Sequence, residues 1–388
     1  MNIGKAGYLD EITRYRDMGS IDIAEQLDGS SPPSVFIGSW NYPKVYAGPM
    51  LANRKGDTSL MDSSERWIPE GMGQSEIISY RLGLVRGKRP QRVNDMDSGL
   101  VSTLRDIALS SGSVDSEAMF RKAPRGFSLN EDSVTHGPSG DLEKIRIDNT
   151  KWNRDLERVF YDTDMNAVEA LSELHRRKTP FSSIQKAFSA GAIGNGKKRN
   201  LVPTRWSITA VDSTIGDNLL EDVRYNDIID TYRVHEFDSL HNHYAVILMP
   251  TIWQYEWMEA FLRIKGNEEM LFGDFEPFTG KKGYSRVGGC FYSCRMAVLE
   301  SLARQKEQAG AIILREAYRG YVPLGVFNVR ENVRNAMEQE PREFENLRGA
   351  LDHVTDGMHL PRERYVASSD LLKDVLHNKQ SRLDQFLT

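Results

Sequence analysis

Between Arg205 and Ile215 a guanidinium, an indole, several hydroxyls and a carboxylate are crowded together in Arg205, Trp206, Ser207, Thr209, Asp212, Ser213 and Thr214. Arg205 can clamp a phosphate through charge-assisted hydrogen bonds, Trp206 can stack a base, Thr209 adds a hydroxyl donor, and Asp212 offers a carboxylate for proton transfer or a metal. The same stretch also reads as a strand with Trp206, Ile208 and Ala210 turned inward and Asp212 or Ser213 capping a helix through Leu220. His136, before Gly137-Pro138, places an imidazole at a rigid turn, where it can serve as a general acid or base or lie idle on the surface. Asp162 and Asp164 form an Asp-x-Asp pair that could hold Mg²⁺, because hard cations take carboxylate oxygens. In a continuous helix the two would diverge, so the pair suits a metal only at a helix start, where capping is the more ordinary role.

Further polar or aromatic groups lie at Trp40 to Lys44 and at Arg330-Glu331, with a charged cluster at Asp62, Glu65, Arg66 and Trp67. Gly288-Gly289 could let backbone N–H groups approach phosphate, and Arg86-Gly87-Lys88-Arg89 and Lys281-Lys282 would add positive charge. Runs of this length also occur as solvated loops. Trp40, His136, Arg205, Asp212 and Arg330 are expected to converge on one concave site, with Lys44, Trp206 and Thr209 as further nucleotide or DNA contacts.

At the end of the chain, Gln380, Leu383 and Phe386 recur at intervals of three, with Leu387 beside the last. On a 3₁₀ turn, positions i and i+3 eclipse, so these anchors share one face. The spacing fits a tail that docks, set against the ordinary alternative of a frayed terminus.

At 388 residues the chain can build one large mixed domain or two packed subdomains. Its formal charge of -5 and pI near 6.0 argue against a broad basic surface, so any DNA contact must be local. No run of about eighteen apolar residues appears, and the first residues carry neither a signal-like apolar region nor the glycine that myristoylation needs. The expected compartment is the cytoplasm, with no membrane partner. Cys290 and Cys294, the two cysteines of the chain, sit four apart, which suits neither a zinc knuckle nor a disulfide framework and reads as two reduced residues packed on one helix face.

To position these groups, the pattern predicts a hairpin of Val35–Gly38 and Val45–Gly48, helices at 76–85 and 100–109, and a long irregular connection from Ser110 to Asp141. Helical spacing resumes from Trp152 to Leu174, broken at Asp162-Thr163-Asp164. A second hairpin is expected from Tyr232–Phe237 and Tyr244–Met249, the latter buried on both faces, then a helix at 291–302 and strands at 311–314 and 324–329. Pro341 can open a helix over Phe344, Leu347, Leu351 and Val354, and Ser369 can cap another from Asp370 to His377. The expected fold is α/β or α+β: a mixed β-sheet core with covering helices over 1–340, a helical section at 341–379 and a short flexible tail at 380–388.

The segments Leu201 to Ile215, Phe36 to Pro49, His136-Gly137-Pro138, Asp162-Thr163-Asp164 and Pro323 to Glu331 together resemble the archaeal Nre family of DNA-repair proteins. The likeness runs through nearly the whole chain from Ser34 onward. It implies a role in DNA damage repair and docking on the sliding clamp PCNA through a C-terminal PIP box, which maps onto Gln380, Leu383, Phe386 and Leu387. Many family members carry an N-terminal cysteine cluster resembling a zinc site; this chain has none before Cys290, so no zinc is carried over. Two functions follow as expectations: an enzyme processing nucleotides or damaged DNA, with His136, Asp164 and Asp212 as catalytic candidates and Mg²⁺ as the candidate cofactor, or a non-catalytic adaptor tethered to the clamp. Motifs distant in sequence favour the enzyme, since an adaptor needs one surface and not a converging cavity.

Overall fold

From Val114 to Phe120, Val114, Ser116, Ala118 and Phe120 are buried while the residues between them reach toward solvent, the alternation of a strand with one covered face. In the computed structural model, which describes residues 5, 7–9, 23–129, 135–148 and 150–376, that strand joins five others. They are β1 (Gln26–Ser31), β2 (Val35–Ile37), β3 (Lys44–Ala52), β4 (Leu84–Arg92), β5 (Val114–Phe120) and β6 (Ser139–Asp148). Their order is β1-β5-β6-β4-β3-β2. The β4–β6 pair is parallel, with Arg86 opposite Ser139 and Lys88 opposite Asp141; its neighbours are antiparallel. The helix Gly99–Leu109 buries Leu100, Val101, Leu104 and Ile107 in a core with Val35, Ile37, Val45 and Leu51.

The chain divides into two compact units, and this sheet belongs to the one formed by Leu9–Ile215 and Val322–Phe327. The β2–β3 hairpin is as expected. The helix expected to run through Val85 covers Gln74–Leu82 and gives way to β4. The stretch expected to be irregular from Ser110 to Asp141 contains β5 and the start of β6, whose alternation is obscured by inward serine and outward acids.

Residues 204–223 form one helix and not the strand that Trp206, Ile208 and Ala210 also suggested. Ser207 N–H already bonds the Pro203 carbonyl at 2.9 Å. Ile208, Val211, Ile215, Leu220 and Val223 are buried at the three-to-five-residue steps of a helix face. The break at Asp162-Thr163-Asp164 separates Arg154–Tyr161 from Ala167–Arg176, the second opened by a capping box in which Asn166 and Glu169 satisfy each other's backbone N–H groups.

The second unit holds β7 (Asp227–Ile228), β8 (Tyr232–Ser239), β9 (Asn242–Met249), β10 (Tyr255–Leu262), β11 (Glu269–Glu276), β12 (Glu307–Gln308), β13 (Gly310–Ala317) and β14 (Arg342–Phe344). Six of these form a sheet ordered β11-β10-β13-β9-β8-β14, while β12 and β7 pair alone. The β10–β13 pair is parallel. Every residue of β9, β10 and β13 is buried. Charges inside that core are matched: Arg315 Nη1 lies 2.8 Å from Glu259 Oε2, and Lys5 Nζ lies 2.6 Å from Glu259 Oε1. Cys290 and Cys294 are in no disulfide and are buried in the helix Gly289–Gln305.

Residues 324–329, expected as a strand, contribute instead to a loop and to the helix Phe327–Met337, after Gly325 takes a left-handed φ of 106°. Pro341 precedes the edge strand β14, and the helix begins at Leu347, where the Asn346 side chain accepts from Gly349 N–H. A further helix follows Ser369, whose Oγ accepts from Leu372 N–H at 2.8 Å. Mixed sheets with segregated helices make the fold α+β.

Candidate functional site

Arg86 and Lys88 stand two apart on β4, so their side chains leave the same face of the sheet. They line a cleft of about 350 Å³ together with Phe36, Gly38, Trp40, His136 and Arg205. The Arg86 guanidinium carbon stacks 3.9 Å from the centre of the Phe36 ring, and one of its nitrogens donates to the Tyr46 carbonyl at 3.3 Å. Its Nε is buried with no hydrogen-bond partner, and among the described residues no carboxylate pairs with it. Burial pulls its pKa down to about 10. A cation so placed has lost water without gaining a counter-ion, a cost that an incoming anion would offset. Lys88 sits 5.8 Å from the Tyr46 ring centre and 3.8 Å from Asp141.

His136 is brought in by close backbone packing. A Cβ on Gly137 would fall 1.9 Å from the Leu82 carbonyl oxygen, so only glycine lets this segment lie against the start of β4. Gly137 N–H donates to the Leu84 carbonyl at 3.0 Å, and Arg86 N–H donates to the Pro138 carbonyl at 2.8 Å. The His136 ring is 6% exposed and packs edge-on against Phe36. Its Nδ1 lies 2.7 Å from the Gly137 carbonyl and must carry the proton there, which leaves Nε2 an acceptor. Burial, and then the positive charges of Arg86, Arg81 and Lys88, pull its pKa down to about 4, so the ring is neutral near pH 7.

Aromatic surface lies at the mouth of the cleft and beside Arg205. Trp40 is 76% exposed on the β2–β3 turn. Trp206, 44% exposed in the first turn of its helix, packs against Tyr42 with ring centres 5.0 Å apart. Thr204 ties that helix start to the sheet, its Oγ1 accepting from Ile37 N–H at 2.9 Å. This places Arg205, exposed, along the cleft.

Trp40, His136 and Arg205 therefore share one cavity, and the other expected residues do not line it. Asp212 is fully buried and accepts from Gln185 Nε2 at 3.1 Å. Thr209 is half-buried further along the same helix, and Lys44 is exposed at the start of β3. Arg330 is buried in the other unit, its Nε 3.0 Å from Glu331 Oε1. Asp162 caps the turn after Tyr161, its Oδ1 accepting from Asp164 N–H at 3.3 Å and Met165 N–H at 3.0 Å. Among the described residues no group of three or more His, Cys, Asp or Glu side chains is gathered as a metal would require. Asp62, from the charged cluster with Glu65, Arg66 and Trp67, is buried between Arg81 and Lys186, which hold its carboxyl below the usual range against the opposing effect of burial. Gln380, Leu383, Phe386 and Leu387 lie outside the described residues.

The sequence marks Arg86 and Lys88 only as part of a charge run that would add to a phosphate site at Gly288-Gly289, and not as members of this cleft. Their spacing of two fits one face of a strand, a signal masked by the helical periodicity that runs up to Val85 and by the charge run itself.

An α+β protein with a cationic, aromatic-rimmed cleft is the class these features define. The sequence places it further: the archaeal Nre N-terminal model matches residues 7–265 and the archaeal Nre C-terminal model residues 276–386. The chain is 36% identical over 374 residues to DNA repair protein NreB of Archaeoglobus fulgidus, covering 95% of this chain and 93% of the relative. It is 35% identical over 347 residues to NreA of the same organism, covering 88% and 87%. Against NreA of Haloferax volcanii it is 30% identical over 370 residues, covering 90% and 87%. The chain belongs to the archaeal Nre family.

Proposed function

We propose that this chain is a DNA-repair factor that holds a nucleic-acid or nucleotide phosphate in the cleft of Arg86, Lys88, His136 and Arg205, and docks on the PCNA sliding clamp through Gln380, Leu383, Phe386 and Leu387. The repair role is supported by the relatives, each named a DNA repair protein. The observation that carries the binding reading is Arg86, a half-buried cation without a carboxylate, on a cleft that gathers two more cations and an exposed indole. Phosphate supplies the missing charge and a base supplies the stacking partner. The clamp reading rests on the spacing of the tail residues.

Titration of the full chain with short single-stranded DNA, followed by tryptophan fluorescence at several salt concentrations, tests the cleft. Arg205→Ala and Lys88→Ala should each weaken binding by about 1.5–3 kcal/mol, the scale of a charge-assisted hydrogen bond. Each should also lower the salt slope by roughly one. No binding by the wild-type chain, or binding untouched by both variants, would sink the reading.

A catalytic use of the same cleft has one specific support, the His136 tautomer. With Nδ1–H engaged by Gly137, neutral Nε2 can accept a proton from a hydroxyl or water brought beside the phosphate. His136→Gln that keeps DNA binding but abolishes conversion of a 5′-phosphorylated DNA would support it; unchanged conversion would remove it.

A further inference from the structure

We propose that the cleft selects a phosphate monoester, the terminal phosphate of a DNA strand or of a free nucleotide, over the diester phosphates inside a strand. This deepens the binding reading above and rests on it. At about 350 Å³ the cavity is near the small end of ligand pockets, roughly 300–1,000 Å³, and suits one nucleotide unit and not a length of chain. Its charge points the same way. A diester brings one negative charge, whereas a monoester carries about -1.5 to -2 near neutral pH and offers three terminal oxygens. Arg86, Lys88 and Arg205 line the cavity, and among the described residues no carboxylate does; Asp141 lies 3.8 Å from Lys88.

The walls divide the cavity into two ends. Phe36 and Tyr46 already carry Arg86 and Lys88 over their rings, so those faces belong to the phosphate end. Trp40, largely exposed, is left at the mouth to stack a base of any identity. Gly38 keeps the phosphate end open, since a Cβ there would press to 3.2 Å against both an Arg86 nitrogen and the Tyr46 carbonyl. An occupant whose phosphate lies deep and whose base lies at the mouth is a strand end or a mononucleotide.

The test compares the full chain binding four ligands by calorimetry: one short oligonucleotide unphosphorylated, 5′-phosphorylated and 3′-phosphorylated, and the matching mononucleotide. At pH 7.5 at least one phosphorylated end should bind ten times or more tighter than the unphosphorylated strand. A mononucleotide that binds as tightly as that end identifies the free nucleotide as sufficient, and one that binds much more weakly identifies the strand end as the ligand. Lys88→Gln and Gly38→Val should each cut the phosphate advantage several-fold. Lowering the pH to 5.5 should shrink it as the monoester takes up its second proton near pH 6. With its pKa pulled down to about 4, His136 enters that range neutral; were a bound anion to draw a proton onto it, binding would strengthen as the pH falls instead. Equal affinity for phosphorylated and unphosphorylated strands would overturn the selectivity and leave the binding reading standing. No binding of any ligand would overturn both.

Discussion

Gly137 shows how a single residue places the chemistry. Because a Cβ there meets the Leu82 carbonyl at 1.9 Å, Gly137→Ala must push the His136 segment off β4. The expected cost is about 1–3 kcal/mol by chemical denaturation, the range of overpacking, with binding lost as well; a variant as stable as wild type would contradict this origin of the His136 position. Trp206 behaves otherwise. As a half-exposed helix residue resting on Tyr42, its truncation to alanine should cost no more than about 1.5 kcal/mol, well below the roughly 3–5 kcal/mol of a buried tryptophan. Thermal melts of Trp206→Ala distinguish the two. His136, Trp40 and Arg205 were legible in the sequence because each stands in a motif that a core does not need. Arg86 was not, since a charge run gives no sign that one of its members will be half-buried over a phenylalanine ring.

At the scale of elements, the cap at Ser369 was legible, whereas the helix expected from Pro341 begins only at Leu347, behind Asn346. Beyond the break at Asp162-Thr163-Asp164, Asn166 and Glu169 form a capping box, and Asn166→Ala should cost about 1 kcal/mol in a denaturant melt. Strands were read well where they are apolar, as in β9, and poorly where buried charges interrupt them. In β10 the residues Glu256 and Glu259 lie inside the core, and only pairing with distant groups makes that tolerable. Glu256 accepts from the N–H groups of Asp370 and Leu371 and from the Ser369 hydroxyl, yet burial dominates and raises its pKa to about 7. A carboxyl with a folded pKa raised above its unfolded value contributes stability that is full below about pH 4.5 and is lost as pH rises through about 7. Glu256→Gln should therefore flatten the fall in stability between pH 5 and pH 8; a wild-type slope that survives the substitution would assign it to another group.

At the scale of the whole molecule, the fold class was legible because apolar hairpins and capped helices recur through the chain, whereas the division into units was not. Val322–Phe327 joins a unit whose other residues end at Ile215, a return over more than a hundred positions that local pattern cannot reveal. No helix among the described residues is long and apolar enough to cross a membrane. The tail remains a separate matter. Deleting 380–388 should abolish binding to the clamp in a titration while leaving the melting temperature unchanged, and Phe386→Ala alone should remove on the order of 2 kcal/mol of affinity. A truncated chain that binds the clamp as before would end that proposal. The cleft is the central claim, and a crystal structure of the full chain with a short 5′-phosphorylated oligonucleotide tests it most directly. The account predicts the terminal phosphate within hydrogen-bond reach of the Arg86 guanidinium and the first base against Trp40; DNA bound elsewhere, with the Arg86 cleft holding only water, would contradict it.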